Sequence, residues 1–311
     1  MTKDPTLLRT TAARINFQNP IVLAAGTAGF GRELAGVMDL DRLGGIITKA
    51  VSLDPRGGAP SPRVADFDGG MINAVGLANP GLKHVRDADL PWLAANVRSA
   101  RVIINVVGDR VEDFAEVVAA LSPSQRVDAF ELNVSCPNIK AGGMEFGASE
   151  MTLRELVVRA RESTAKPIFV KLSPTLHDIA HSASVAIDAG ADALTLVNTL
   201  PGMLIDIESR RPVLGFGTGG VSGAGLLPVG VLAVAKVRRA TTAPILGVGG
   251  VARGADAVQY LLAGATLVGV GTATMRDPRA PERILAELAE WCESHGIRRV
   301  SELTGALKWP Q

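Results

Sequence analysis

The chain of 311 residues is short of cysteine, of net charge and of long apolar runs. Its two cysteines, Cys136 and Cys292, stand far apart, with no Cys-x-x-Cys or Cys/His spacing. That excludes a zinc or iron–sulfur ligand set within this chain and fits a reducing, cytoplasmic setting. The four histidines, His84, His177, His181 and His295, never pair at metal spacing, so no metal is expected. Lysine and arginine number 32 against 31 aspartate and glutamate, leaving a net charge of +1 and no overall field that would draw nucleic acid or an anionic bilayer. The pairs Arg210–Arg211, Arg238–Arg239 and Arg298–Arg299 are too short for a binding tract and read as solvated surface. No stretch approaches the roughly 18 uninterrupted apolar residues of a membrane span. Met1 to Arg14 lacks the pattern of a signal peptide, so no membrane attachment is expected.

What is present is a regular alternation. With 47% hydrophobic residues, 20% charged residues and 34 glycines, the composition is that of a compact protein. Short apolar runs recur at Ile21–Gly26, Gly45–Ala50, Val102–Gly108, Ala129–Ser135, Ile168–Ser173, Ala193–Thr199, Ile245–Gly250 and Leu267–Thr272. Most are rich in Val, Ile and Leu, as strands buried on both faces are. Between them, Val111–Leu121, Thr152–Thr164, Asp178–Ala189, Leu226–Ala240 and Ala255–Ala263 carry apolar residues at helical spacing. Eight buried strands alternating with helices predict an α/β fold, a closed (β/α)₈ TIM barrel spanning 1–311 as one domain. Met1–Asn19 is expected to form a cap or hairpin at the barrel bottom. Two segments after strands, Ser52–Leu93 and Gly202–Gly225, are too long for simple barrel loops and are expected to lie irregularly over the catalytic face.

Polar residues gather at the C-terminal ends of the runs: Lys49, Asn105, Asn133, Ser135, Cys136, Asn138, Lys171, Ser173, Asn198 and Thr199. Any one of them could belong to a polar layer that closes the barrel mouth. The whole set on one face points to a site, because unpartnered lysines and amides are costly inside a barrel. Gly247-Val-Gly-Gly250 and Gly269-Val-Gly-Thr272 follow the seventh and eighth strands, where backbone N–H groups can cradle a phosphate. Cys136 in Asn133-Val-Ser-Cys-Pro-Asn138 is a candidate general base, provided donors or positive charge stabilise its thiolate. Cys292, inside a predicted C-terminal helix, is expected only to pack.

At Asn133–Asn138 the chain resembles the catalytic subunit of class 1B dihydroorotate dehydrogenases. Further matching segments are Ala24-Ala-Gly-Thr-Ala-Gly-Phe-Gly31, Thr48-Lys49, Asn73-Ala-Val-Gly-Leu-Ala-Asn-Pro-Gly81, Val170-Lys-Leu-Ser-Pro174, Val197-Asn-Thr-Leu200 and Thr218-Gly-Gly-Val-Ser-Gly223. The resemblance covers about Asn19 to Arg276. It implies an FMN-dependent oxidation of (S)-dihydroorotate to orotate in pyrimidine (UMP) biosynthesis. It implies that Cys136 abstracts the C5 proton while the C6 hydride passes to flavin N5. Lys49 would contact both flavin and substrate. Asn73, Gly76, Leu77, Asn133, Asn198 and Thr199 would hold the orotate ring and carboxylate. Ala25, Asn105, Asn133, Lys171 and Val197 would line FMN. Gly223, Gly249, Gly250, Gly271 and Thr272 would hold its phosphate end. It also implies a homodimeric core flanked by partner subunits that carry FAD and a [2Fe–2S] cluster and pass electrons to NAD.

The chain departs from the family pattern at Ala25, where Ser is common, at Phe216, where Asn is expected, and at Ala224 within Ser222-Gly-Ala-Gly225. None of these is a proposed catalytic position. A fumarate-linked class 1A enzyme and a dihydropyrimidine dehydrogenase-like domain are the neighbouring readings. A flavin-free barrel that binds a phosphorylated ligand is the reading from another class, and it would have no need of Lys49, Cys136 or Lys171.

Overall fold

The computed structural model describes residues 4, 6–135, 137–138 and 144–310, without the side chains of 137, 138 and 144. Cys136 therefore lies outside the described residues.

All eight apolar runs are barrel strands. They are β1 (Ile21–Leu23), β2 (Gly45–Ile47), β3 (Arg101–Val106), β4 (Ala129–Asn133), β5 (Ile168–Leu172), β6 (Ala193–Leu196), β7 (Ile245–Val248) and β8 (Leu267–Val270). They pair in parallel in sequence order, and the β8–β1 pairing closes the barrel. Each strand except β3 starts where its run was read to start, and most stop two or three residues short, because the glycine and polar residues at the ends of the runs already belong to the loops. The helices Val111–Leu121, Glu150–Glu162, Ile179–Asp188, Leu227–Ala240 and Gly254–Ala263 fall within two residues of the periodic segments. A C-terminal helix, Ala280–Ser294, buries Cys292, and burial pushes its thiol up to about 11. Among the described residues no helix is long and apolar enough to cross a membrane.

The barrel interior is built from alternate residues of each strand. Its lower part is apolar: Val22, Ile47, Ile103, Ala129, Phe169, Ala193, Leu246 and Leu267 form one cluster. The expected hairpin is present, Thr10–Ala12 paired with Ile15–Phe17, and it contributes Ala12, Ala13 and Phe17 to that same cluster. The bottom of the barrel is thus plugged with hydrocarbon.

The two long segments are not irregular. Val64–Phe67, Gly70–Asn73, Gly219–Ser222 and Leu200–Gly202 join in a four-stranded antiparallel sheet outside the barrel. The pattern hid this because glycine-rich strands show no alternation, and their partners are about 150 residues away in sequence.

At the bottom rim, side chains satisfy the backbone N–H groups that lead into the strands. Asn19 accepts from Ile21, Asp128 from Val102 and Asp192 from Ile168. Asp41, on the turn before β2, accepts from Arg98, Ser99 and Ala100 at 2.7–3.0 Å, just ahead of β3. Burial raises the Asp41 carboxyl, but the three N–H donors outweigh it and hold the group below the usual aspartate value of 3.8. A folded-state pKa below the unfolded one contributes stability above the unfolded value, lost as pH falls through the folded value. Asp41→Ala is therefore expected to cost about 1–3 kcal/mol at neutral pH. In chemical denaturation the gap from wild type should narrow below about pH 4, and a gap independent of pH would show that the charge is not responsible.

Candidate functional site

The C-terminal mouth of the barrel opens into a cavity of about 610 Å³, bounded on one side by the four-stranded sheet. That is the size of a cofactor or ligand site.

One end of the cavity is made of glycine. Gly249 and Gly250 follow β7, and Gly271 follows β8. The N–H groups of all three donate to no backbone carbonyl among the described residues. Unused donors at neighbouring turns form an anion-binding concavity. Their geometry is imposed from outside. Gly250 has φ +74°, and a Cβ there would lie 2.5 Å from the Leu227 nitrogen. Gly223, at φ +100°, would press a Cβ to 2.6 Å from the Cα of Gly70. Beneath the turn, the hydroxyl of Tyr260 donates to the Gly249 carbonyl at 2.8 Å. The ring fits because Gly230 and Gly247 carry no side chain; a Cβ on either would collide with it. Thr272 donates to Ser222 at 2.8 Å, which joins the turn to the outer sheet.

The floor is polar where the barrel bottom is apolar. Asn105, Lys171 and Asn133 line the cavity, and Glu131 and Thr195 lie just below it, fully buried. Asn105 donates to Glu131 at 2.6 Å, and Thr195 donates to it at 2.8 Å. Lys171 is 7% exposed, yet among the described residues its ammonium has no ion pair or hydrogen bond. The Lys49 ammonium, half-buried on the cavity wall, has none either. A buried ammonium without a partner calls for an electron-rich occupant. Opposite, Asn198 donates to Asn133 at 3.2 Å and accepts from the Thr199 N–H at 2.8 Å. Asn73 donates to the Gly220 carbonyl at 3.3 Å, and a Cβ on Gly220 would strike the Thr199 side chain.

The wall at Gly76–Leu77 takes left-handed backbone, with φ +68° and +55°. For Leu77 this costs about 1–2 kcal/mol. Asn79 supports it. Its side chain accepts from the Gly81 N–H at 2.9 Å and donates to the Leu77 carbonyl and the Ser52 hydroxyl, both at 2.8 Å. Nearby, Glu145 pairs with Pro137 across a two-residue ladder. Burial pushes the Glu145 carboxyl up, against the pull of the Ser173 hydroxyl.

The cavity gathers Ala25, Lys49, Asn73, Gly76, Leu77, Asn105, Asn133, Lys171, Val197, Asn198, Thr199, Gly223, Gly249, Gly250, Gly271 and Thr272. Cys136, the remaining candidate, lies outside the described residues, but the preceding Ser135 lines the cavity, and its buried hydroxyl has no hydrogen-bond partner among the described residues. Of the departures from the family pattern, Ala25 and Ala224 line the cavity, whereas Phe216 is 66% exposed. Sequence reasoning missed Glu131, Asn79, Tyr260 and Arg276. Glu131 was detectable by parity, standing two residues before Asn133 in a strand whose alternate residues face inward. Arg276 lines the mouth and donates to the Gly70 carbonyl at 3.0 Å, a contact that only the folded outer sheet creates. No group of three His, Cys, Asp or Glu suited to a metal occurs among the described residues.

The family model described as dihydroorotate dehydrogenase matches residues 7–291. The chain is 45% identical to the dihydroorotate dehydrogenase B (NAD(+)) catalytic subunit of Geobacter sp. (strain M21), over 95% of this chain and 96% of that protein. It is 43% identical to the protein of the same name from Geotalea uraniireducens, over 96% and 98%. It is also 43% identical to that from Geobacillus kaustophilus, over 94% and 92%.

The glycine turn makes a direct prediction. Gly250→Ala places a side chain at positive φ and against the Leu227 backbone. If the cradle takes the phosphate of the FMN that the family resemblance implies, affinity for FMN, followed by fluorescence titration, is expected to fall about tenfold or more. Unchanged affinity would remove Gly250 from the cradle.

Proposed function

The chain belongs to the dihydroorotate dehydrogenase family, and on that premise we propose that it oxidises (S)-dihydroorotate to orotate with FMN as its resident cofactor. The observation that carries this is one cavity holding both a glycine turn with unused N–H donors and two ammonium groups without partners among the described residues. A flavin-free phosphate binder would require the turn alone.

The residues fit FMN. Gly223, Gly249, Gly250, Gly271 and Thr272 would hold the phosphate end. Ala25, Asn105, Asn133, Lys171 and Val197 would line the ring system, with the Lys171 ammonium stabilising negative charge near the N1–O2 edge. Bound FMN supplies the acceptor for a hydride. Lys49, Asn73, Gly76, Leu77, Asn133, Asn198 and Thr199 would bind the substrate; asparagine amides offer both donors and acceptors to its imide-like ring, and Lys49 offers positive charge to its carboxylate. Cys136 would act as general base and take the C5 proton, which leaves the C6 hydrogen to depart as hydride and the C5–C6 bond to become double. The outer sheet walls the cavity and limits water there.

The relatives are named as NAD(+)-linked catalytic subunits. Accordingly we assign this chain a partner subunit, with FAD and a [2Fe–2S] cluster in the partner as the route to NAD, around a homodimeric core.

The purified chain, supplied with FMN, is expected to bind it and to lose flavin absorbance on anaerobic addition of dihydroorotate. Bleaching by dihydrouracil but not by dihydroorotate would reassign the substrate, and a protein that stays colourless would reject the flavin. Cys136→Ser is expected to cut the neutral-pH rate by about 10²–10⁴-fold, with partial recovery at high pH, because a serine hydroxyl without an adjacent base is a poor proton acceptor. Stopped-flow reduction across pH checks this, and an undiminished neutral rate would remove Cys136 from the mechanism.

A further inference from the structure

Glu131 is a carboxylate sealed inside the barrel, 0% exposed, at an inward position of β4. Taking a carboxylate out of water is expensive, and a leucine would fill the space without that cost. Among the described residues Glu131 pairs with no ammonium: Oε1 accepts from Asn105 Nδ2 and Oε2 accepts from the Thr195 hydroxyl, both neutral donors. Asn105 is its direct register partner on β3, whereas Thr195 stands two strands away on β6. The carboxylate therefore ties together strands on either side of Lys171.

Both oxygens of Glu131 are engaged as acceptors, one from Asn105 and one from Thr195. An amide facing it has only one orientation, with Nδ2 inward. Asn105 lines the cavity, and the same planar amide leaves Oδ1 as its free atom. The ammonium groups and the glycine N–H groups at the mouth are donors. At Asn105 the floor presents an acceptor.

We infer that Glu131 is a positioning residue for the flavin: it fixes the Asn105 amide so that Oδ1 accepts from an imide N–H, the N3–H of an isoalloxazine. This rests on the FMN reading of the site. A glutamine in place of Glu131 keeps the shape but can present its own donor to Asn105, which frees the amide to turn and offer Nδ2 to the cavity.

The test loads the full chain by exchange with excess FMN or with FMN methylated at N3, and compares affinities by fluorescence titration. Wild type is expected to prefer FMN by about tenfold or more, the value of one well-made hydrogen bond to a buried partner. In Glu131→Gln the preference is expected to shrink to within about threefold, with weaker FMN binding. A Glu131→Gln protein that keeps the wild-type preference, or a wild type that binds both flavins equally, overturns this inference and leaves the FMN assignment standing. A wild type that takes up neither flavin overturns both. Should Glu131→Gln fail to fold by circular dichroism, Glu131→Asp, which draws the carboxylate back from the Asn105 amide, poses the same question. Loss of the preference there supports the inference, and its retention overturns it.

Discussion

Closing eight strands into a barrel leaves each with two or three inward side chains, and the polarity of those positions changes along the barrel axis. At the bottom Ile47, Ile103, Phe169 and Leu246 meet the hairpin residue Phe17, and no polar side chain joins that cluster. One step up stand Asn105, Glu131, Lys171 and Thr195. In a sealed, low-dielectric interior each polar group must find a partner or meet a ligand. Glu131 has Asn105 and Thr195, whereas Lys171 and the N–H groups of Gly249, Gly250 and Gly271 have none among the described residues. The groups left over mark out the site.

The same constraint explains what could be read from the sequence. Barrel strands are buried on both faces, so each appears as a short apolar run, and all eight were legible from those runs and their alternation with helical segments. Helices such as Val111–Leu121 were legible because one stripe packs inward while the opposite face stays wet. Strand ends were not legible to the residue, since Gly249 or Ser173 can close a strand or open a loop. The site was legible as a set because residues that follow parallel strands must emerge on one face. The positions of Lys49, Asn133, Lys171 and Asn198 followed from strand order, and the functional roles attached to them came from the family resemblance.

What the sequence concealed depended on non-local contact. Tyr260 reads as one more apolar residue of an amphipathic helix. Its part in supporting Gly249 depends on the missing side chains of Gly230 and Gly247, from separate elements. Glu131 sits in the run Ala129–Ser135, where an acidic residue looks like an outward-facing position until its parity with Asn133 is counted. The outer sheet was hidden most completely. Gly219–Ser222 carries two glycines, and its neighbour in the sheet is Gly70–Asn73.

That outer sheet brings together parts of the cavity that the barrel alone keeps apart. Of its two inner strands, Gly219–Ser222 places Gly220 against Thr199 and Ser222 against Thr272 beside the glycine turn. The adjoining strand carries Asn73 toward the same cavity and receives Arg276 through the Gly70 carbonyl. The side-chain bonds that Ser222 and Arg276 make on this wall are partly buried, whereas those Glu131 makes in the floor are fully buried. The energetic contrast follows directly: the floor cannot rearrange without leaving a carboxylate unpartnered in hydrocarbon, while the rim side-chain bonds of the wall can exchange with water at little net cost.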